Sequence, residues 1–370
     1  MSDRELRRFL LLVIATLLSL GCVSVYSASA IQASAVYDQS VRFLVHHVGA
    51  IALGLGVGLG CLALPYPRLR QSAKGLVLGC LVLLVLVRLA GPEIGGAHRW
   101  FRIGRLSIQP SEFAQLALIL YLADFLARKR DVIRDVREGF LPPILVTGLC
   151  SALVLFQPDL GTSIVMGAVA VLLLVVAKAR WRHIGAVLLV GVVVLAVLIV
   201  GVEYRRRRML AFLDPWHDPQ GAGFQILQSY FAMAHGGLFG QGIGASLQKL
   251  FYLPSAHTDF IFAVIGEELG LVGTTALVGL FALLLGCGIA MAHRAEDLFS
   301  KYLICGCIGM IGCEALVHMA VVTGLLPTKG LPLPFVSYGG TAMVNNLLAC
   351  ALVCQASRHA SEMASSGAVS

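Results

Sequence analysis

The chain has 370 residues, of which 58% are hydrophobic and only 13% charged, whereas a soluble domain carries about 25% charged residues. This composition excludes an ordinary soluble protein and predicts a polytopic membrane protein. The net charge of +8 does not indicate a nucleic-acid partner, because the basic residues are spread over short loops instead of forming one basic face or tail.

Runs of about 20 apolar residues predict ten transmembrane helices in one domain covering residues 1–370. The fold class is therefore an all-α polytopic membrane protein with a large extracytoplasmic loop, residues 203–259, between helices 7 and 8. Only the two ends, Met1 to Arg8 and a tail from about residue 358 to 370, are predicted to be disordered. The predicted spans lie near residues 9–31, 44–64, 73–90, 111–127, 139–157, 160–177, 184–202, 260–291, 302–322 and 341–357.

The first span ends near a run of small residues, Ser27 to Ala30, that resembles a signal-peptide cleavage site. Because the apolar run is long and further spans follow at once, we interpret it as a retained helix. Ten spans place both termini on one side of the membrane, and the basic residues of the alternate loops assign that side to the cytoplasm.

Neither a disulfide framework nor a zinc site is predicted. The ten cysteines all lie in or beside apolar runs, and no CxxC pair occurs. The sequence also contains no Walker loop, no GxSxG elbow, no HExxH motif and no dinucleotide fingerprint. Any chemistry must therefore depend on carboxylates and cations.

The large loop carries most of the polar features of the chain. It opens with four consecutive arginines, Arg205 to Arg208, and closes with His257, Thr258 and Asp259 where apolar sequence resumes. In between, Phe224, Leu227 and Phe231 recur at helical spacing and predict a short amphipathic helix at the interface. The glycines that follow it allow close approach to a ligand or to another helix.

Asp259 is the strongest candidate for a catalytic group. An apolar setting at the start of a span raises a carboxyl pKa towards that of a useful general base. Capping of the following helix would place Thr258 or Asp259 at the same position, and the residue pattern alone does not separate the two roles.

Several other acids lie inside or at the ends of predicted spans. Buried acids in a membrane usually face a cavity or a partner, so Glu267 and Glu268 are assigned to a cavity or to a structural role. Glu112 and Asp159 follow prolines at helix starts, where capping is the favoured role. Glu314 and His318, four residues apart, are expected to satisfy each other.

Basic residues outside the predicted cytoplasmic loops form a surface suited to an anionic, phosphorylated ligand. For any single one of them, ordinary snorkelling at the interface is an equal alternative. The candidates for phosphate binding are Arg99, Arg102, Arg206, Arg207, Lys249 and Lys329. The proline-rich segment after residue 324 lies at membrane depth, where irregular backbone is tolerated only inside protein or beside a polar cavity. It is therefore expected to line the site.

At this point the motifs resemble a known family, the shape, elongation, division and sporulation proteins, which are membrane glycosyltransferases that polymerise peptidoglycan. Among the branches of this family, the motifs resemble the division proteins most and the elongation proteins second. The resembling segments are GAHRWFRIGRLSIQPSEFAQLAL from Gly96, FQPDLGTS from Phe156, RRRMLAFLDPWHDPQGAGFQILQS from Arg206, LPSAHTDFIFAVIGEELGLVG from Leu253 and GLLPTKGLPLPFVSYGG from Gly324.

The resemblance implies transfer of lipid II, an undecaprenyl-pyrophosphate-linked disaccharide-peptide, onto a glycan at the outer face of the cytoplasmic membrane, with inversion. It implies that Asp259 is the essential carboxylate, and we assign His257, Thr258 and Ser337 of the same motifs to substrate contacts. A divalent cation, magnesium or manganese, could share neutralisation of the pyrophosphate, although no ligand cluster is visible. The implied partners are a class B penicillin-binding transpeptidase and other divisome proteins at the septum.

The chain departs from the family pattern at three positions. Gln115 stands where the family usually has lysine, so that Glu112 needs another partner. Glu314 and His318 stand where neutral amide side chains are expected. Three alternatives remain: a lipid II flippase that uses the intramembrane acids, an elongation-type polymerase, and a scaffold that only recruits division proteins.

Overall fold

The chain folds into a bundle of long helices, described here from a computed structural model. The structure describes residues 2–93, 96–104, 106–249 and 253–367. Each of the ten predicted spans coincides with a helix, which confirms the predicted fold class. The helices are α1 (Asp3–Tyr37), α2 (Arg42–Ala63), α3 (Tyr66–Ala90), α4 (Pro110–Arg128), α5 (Leu141–Phe156), α6 (Leu160–Val176), α7 (Trp181–Val200), α8 (Glu203–Leu213), α9 (Phe224–Gly236), α10 (Ile261–Arg294), α11 (Leu298–Val322) and α12 (Gly340–Gly367).

Eight helices of the described ranges are long and apolar enough to cross a bilayer. Helix α6 has only 17 residues, about 25 Å, which is less than the roughly 30 Å hydrocarbon core. The polar turn before it contains Asp159, which is buried. Helix α12 takes the position of the tenth predicted span and continues to Gly367. Disorder was predicted for both ends of the chain, but α1 already begins at Asp3, capped by Ser2, and α12 extends into the predicted tail.

Small residues allow the central helices to approach closely, as is usual in membranes. On α2, Gly54 faces the side chain of Leu347 and Gly58 faces Ala351, both on α12. A side chain at Gly54 would collide with Leu347. Helix α12 is consequently held in the middle of the bundle, where its residues Asn345 and Asn346 are fully buried.

Helix α10 is interrupted at Gly270, whose backbone (φ 66°, ψ −163°) is not helical. The loop after α9 fills the interruption: Gln241 and Gly242 donate N–H groups to the carbonyls of Glu267 and Glu268 at 2.9 and 3.0 Å. In return, two amides beyond the break, those of Leu271 and Val272, donate to carbonyls of the same loop. Its backbone groups are thus satisfied inside protein, the condition for irregular backbone at membrane depth.

Helices α1, α3 and α11 finish at one end of the bundle, where α2, α4 and α10 begin. We call this the site end. It carries α8, α9, the segment 323–339 and a short antiparallel hairpin of β1 (Phe101–Ile103) and β2 (Leu106–Ile108). No strand was predicted there, because strands of three residues are too short to show a clear alternation.

Candidate functional site

Asp259 lies in the loop between α9 and α10, two residues before the first residue of α10. Its N–H donates to the Ser255 carbonyl at 3.0 Å, and its side chain is half-buried. The residue preceding α10 is Phe260, and no side chain caps this helix. The capping alternative is therefore wrong for Asp259, and its carboxylate is available for another role.

Burial raises the pKa of the Asp259 carboxyl to about 6, and the charge of Arg208 opposes this rise. A carboxyl with this pKa is largely ionised at pH 7 and more basic than a solvated aspartate. These are the properties that suit a general base.

Arg208 is the cation beside Asp259, and the sequence analysis did not select it. Its Nη1 donates to the Thr328 carbonyl at 3.1 Å, and the residue is half-buried. Arg206 and Arg207, which were selected, are exposed, and Arg207 pairs with Glu203 at 2.5 Å. Consecutive residues on a helix point in different directions, so a run of four arginines does not itself reveal which one faces the site.

The segment 323–339 is bound to the motif that contains Asp259 at two points. Ser337 donates its hydroxyl to the Thr258 carbonyl at 2.6 Å and accepts from the Leu333 N–H at 2.8 Å. The Tyr338 N–H donates to the His257 carbonyl at 3.0 Å. The segment that was predicted to line the site thus lies against the Asp259 motif, and the Ser337 side chain links the backbone of the two segments.

Lys329 links this segment to the start of α6. Burial lowers the pKa of its ammonium to about 8, and the nearby charge of Asp159 opposes the change. Asp159 accepts from the N–H and the hydroxyl of Thr162 at 3.2 and 2.9 Å and from Gln109 Nε2 at 3.1 Å. Its predicted capping role is confirmed, and it also lies close to a cation of the site.

The remaining predicted cations are distributed over different environments. Arg99 donates from Nε and Nη2 to the carbonyls of Gln157 and Pro158, both at 2.6 Å, so it clamps the turn between α5 and α6. Arg102 is exposed on β1 and lines an open cleft. Lys249 is buried, with its ammonium 2.8 Å from Glu268 and 3.0 Å from Ser27 Oγ. Its charge is therefore paired with the Glu268 carboxylate inside the protein.

Glu267 and Glu268 have a structural role. Glu267 accepts from the Ser246 hydroxyl at 2.5 Å and from the backbone amides of Leu247 and Gln248 at 3.0 and 3.3 Å. Glu268 accepts from Lys249 and, at 2.5 Å, from Ser27. The two acids thus bind the loop that precedes the Asp259 motif to the first segment of α10.

A second group of polar side chains lies deeper, between α4, α11 and α12. Glu112 lies close enough to Glu314 for their charges to interact, and Gln115 and Asn346 face the Glu314 carboxyl. The expected pairing of Glu314 with His318 is wrong, because His318 Nδ1 donates to the Leu331 carbonyl at 2.7 Å instead. Leu331 lies in the segment 323–339, so spacing along the sequence does not predict this hydrogen bond. Glu112, in the first turn of α4, carries no capping hydrogen bond.

Within the described ranges, no group of three His, Cys, Asp or Glu side chains could hold a metal ion. The carboxylates near the site, Asp259 and Asp159, are each matched with a cation, Arg208 and Lys329.

Comparison with known proteins gives a consistent result. A family model described as cell cycle protein, covering FtsW, RodA and SpoVE, matches residues 7–362. The chain is 41% identical to a Geobacter metallireducens protein named probable peptidoglycan glycosyltransferase FtsW, over 95% of each chain. It is 40% identical to stage V sporulation protein E of Bacillus subtilis, over 97% of this chain and 99% of that one.

The fold is similar to solved structures as well. One, described as the structural coordination of polymerization and crosslinking by a peptidoglycan synthase complex, superposes with a TM-score of 0.77 at 34% identity. The match covers 94% of this chain and 96% of that chain. Both the sequence and the arrangement of helices are thus shared over nearly the whole length.

Proposed function

The chain belongs to the cell cycle protein family of FtsW, RodA and SpoVE, and on that premise we propose that it polymerises lipid II into peptidoglycan glycan strands. The observation that carries the proposal is the half-buried Asp259 carboxylate beside Arg208 at the site end of the bundle. A base and a cation side by side are what glycosyl transfer from a pyrophosphate requires.

In the proposed reaction, Asp259 accepts the proton of the acceptor sugar hydroxyl. The hydroxyl oxygen then forms a bond to the anomeric carbon of the donor, and the bond from that carbon to the pyrophosphate oxygen breaks. The pyrophosphate leaves with the bonding electrons, still attached to its lipid. Attack from the side opposite the leaving group inverts the configuration at the anomeric carbon.

Arg208 and Lys329 are the cations suited to the leaving pyrophosphate. Arg208 lies beside Asp259, and both cations belong to the network that joins α8, the segment 323–339 and α6. Arginine binds phosphate through two parallel N–H groups, and lysine contributes a point charge. Magnesium or manganese, if used, would be held mainly by the phosphate oxygens and would neutralise part of their charge.

The flippase alternative depends on acids that are free to line a path. Glu267 and Glu268 are instead fully used in binding a loop and Lys249. Of the four residues considered for that hypothesis, Glu314 and His318 remain, and no specific observation favours it over polymerisation.

The same family membership supports a proposal for the location and the partners of the protein. We place the protein in the bacterial cytoplasmic membrane with both termini in the cytoplasm, so that the site end faces outward, towards the growing wall. Its proposed partners are a class B penicillin-binding transpeptidase and other divisome proteins at the septum. The similarity to proteins named FtsW supports the septal assignment over the elongation-type alternative.

The decisive experiment uses the full chain with its transpeptidase in liposomes and labelled lipid II, and compares wild type with Asp259→Asn on a glycan-product gel. We expect a ladder of glycans from wild type and none from the folded variant. Equal ladders from both proteins would remove Asp259 as the base. Transbilayer movement of lipid II without any ladder would instead indicate a flippase.

A further inference from the structure

A cleft of about 510 Å³ opens at the site end, between the start of α2 and the β-hairpin. Its volume lies within the range of small-molecule sites, roughly 300–1,000 Å³. The reaction described above does not use it. It is lined by Gln39, Arg42, His46, Arg102, Gly104 and Ser107.

The cleft is cationic. Two of its six lining residues are arginines and none is acidic. Arg42 stacks over the Tyr37 ring at 4.0 Å, a contact that positions its guanidinium without neutralising it. Within the described ranges, neither Arg42 nor Arg102 forms an ion pair. An uncompensated pair of arginines across an open cleft favours an anion between them.

His46 adds a polar group of defined orientation. Its Nδ1 lies 2.8 Å from the Arg42 carbonyl, an acceptor, so Nδ1 carries a proton. The other ring nitrogen, Nε2, has no protein partner in the described ranges and can meet a ligand. Gln39 and Ser107 supply further hydrogen-bonding groups, which suits a phosphate or a sugar more than an apolar molecule.

A cluster of aromatic rings packs the start of α2, next to this cleft, against the motif that contains Asp259. The Phe43 ring, next to Arg42 in sequence, lies 4.7 Å from the His257 ring and 5.3 Å from the Tyr338 ring. His257 is two residues from Asp259. The site end therefore has two cationic regions: Arg208 and Lys329 on the side of Asp259 and Asp159, and Arg42 with Arg102 in the cleft on the other side of Phe43.

We propose that the cleft binds the pyrophosphate of the acceptor substrate, a second lipid-linked sugar. This inference rests on the proposed polymerase function. The donor pyrophosphate is bonded to the carbon that is attacked, so it must lie beside Asp259, near Arg208. The acceptor pyrophosphate is separated from the attacking hydroxyl by the length of its own disaccharide. Two lipid-linked substrates thus require one anion site beside the carboxylate and another at a distance from it, as the two cationic regions provide.

The test separates donor from acceptor with two substrate analogues. A lipid-linked disaccharide capped at its acceptor hydroxyl can serve only as donor, and one with a methylene group in place of the anomeric oxygen can serve only as acceptor. The full chain with its transpeptidase joins the two once. We compare wild type, the double variant Arg42→Gln/Arg102→Gln, and Arg88→Gln, which removes a charge from the exposed end of α3 outside the cleft.

In the double variant we expect the KM for the acceptor-only analogue to rise about tenfold or more, as loss of charge-assisted hydrogen bonds predicts. The KM for the donor-only analogue and the kcat should stay within about twofold of wild type, and Arg88→Gln should match wild type. An equal rise of both KM values, or no rise in either, overturns the proposal.

A binding measurement keeps the inference separate from catalysis. In the Asp259→Asn chain, photocrosslinking of the acceptor-only analogue should weaken when Arg42 and Arg102 are also replaced, in liposomes of zwitterionic lipid. If wild type forms no glycan but this dependence holds, the polymerase function fails while the anion site stands. Glycan formation without the dependence overturns the cleft assignment, as does displacement of the analogue by an equimolar anionic phospholipid.

Discussion

Gly330 lies directly against the carboxylate of Asp259: a methyl group on its Cα would come within 3.2 Å of Oδ2. We expect Gly330→Ala to fold but to lose roughly tenfold or more of kcat/KM, because the methyl group crowds the base and the proton it must accept. Glycan synthesis rates and thermal unfolding, measured in parallel, test this. Gly340→Ala is the matched control, since a methyl group there meets open space. A Gly330→Ala enzyme as active as the control would contradict the arrangement.

Arg208 should matter more than its neighbours in the arginine run. Arg208→Gln removes the cation beside Asp259, and we expect a loss of about 10²-fold in kcat, typical for one electrostatic group at a reacting centre. Arg206→Gln, with the same loss of charge on an exposed residue, should cost much less. Initial rates with saturating lipid II test the difference. Equal losses would mean that the run acts only through its total charge.

The pH dependence of kcat/KM should be bell-shaped. Asp259 must be deprotonated to act as a base, so the rate should rise with pH through about 6. Lys329 must be charged to bind phosphate, so the rate should fall above about pH 8. Lys329→Arg, which stays charged, should remove the upper limb alone. A rate that does not vary with pH between 5 and 7 would exclude Asp259 as the titrating base.

The raised pKa of Asp259 also predicts how Asp259→Asn changes stability: ionisation of the carboxyl favours activity but destabilises the folded protein. Because the carboxyl has a raised pKa in the folded protein, the native state binds more protons than the unfolded state between the ordinary aspartate pKa and about 6. Ionisation of Asp259 therefore lowers the free energy of unfolding as the pH rises through that window. We expect the variant to unfold at a higher temperature than wild type at pH 7 but not at pH 4.

The pair of Lys249 and Glu268 should behave as a buried salt bridge. Lys249→Met leaves Glu268 without its cation, and we expect a loss of about 3 kcal/mol or more of folding free energy. Adding Glu268→Gln should restore most of it, because no uncompensated charge remains. Thermal unfolding in detergent of the two single variants and the double variant measures this. Strictly additive losses would show that the pair is not coupled.

The glycine loop offers a further test. In Gly240→Ala, the left-handed backbone (φ 80°) is strained and the new methyl group collides with the Glu268 carbonyl. We expect a loss of about 1–3 kcal/mol in stability together with reduced activity. Gly279→Ala is the control: on helix α10, where a methyl group at this position meets nothing, the change should be neutral or slightly stabilising. Similar unfolding temperatures for the two variants would contradict the description of the loop.

Apolar run length predicted the positions of ten helices correctly, because hydrophobicity over about 20 residues is a strong and local signal. The amphipathic spacing of Phe224, Leu227 and Phe231 likewise predicted α9. Details that depend on distant chain segments were not accessible. The break at Gly270 exists because a loop from another part of the chain supplies its hydrogen bonds, and nothing in the apolar sequence around it shows this.

The site was predicted in part for the same reason. The motif that ends in Asp259 and the segment that contains Lys329 and Ser337 were identified, and the structure brings them together. Arg208 was missed, since only the orientation of α8 distinguishes it within the arginine run. Lys249 was grouped with the surface cations, but its partner Glu268 lies 19 residues away in sequence, beyond the reach of any local pattern.

The break in α10 divides this helix into two pieces with different surroundings. Residues 261–268 are completely buried, whereas the longer piece from Leu271 onward alternates between buried and lipid-exposed positions. A helix exposed to lipid tilts to match the thickness of its bilayer. The short piece is fastened to the α9 loop and to Lys249, and the first amides of the long piece, those of Leu271 and Val272, are bound to the same loop. The start of α10, next to Asp259, is thus surrounded by protein, so we expect its position to depend on its protein contacts more than on the thickness of the bilayer.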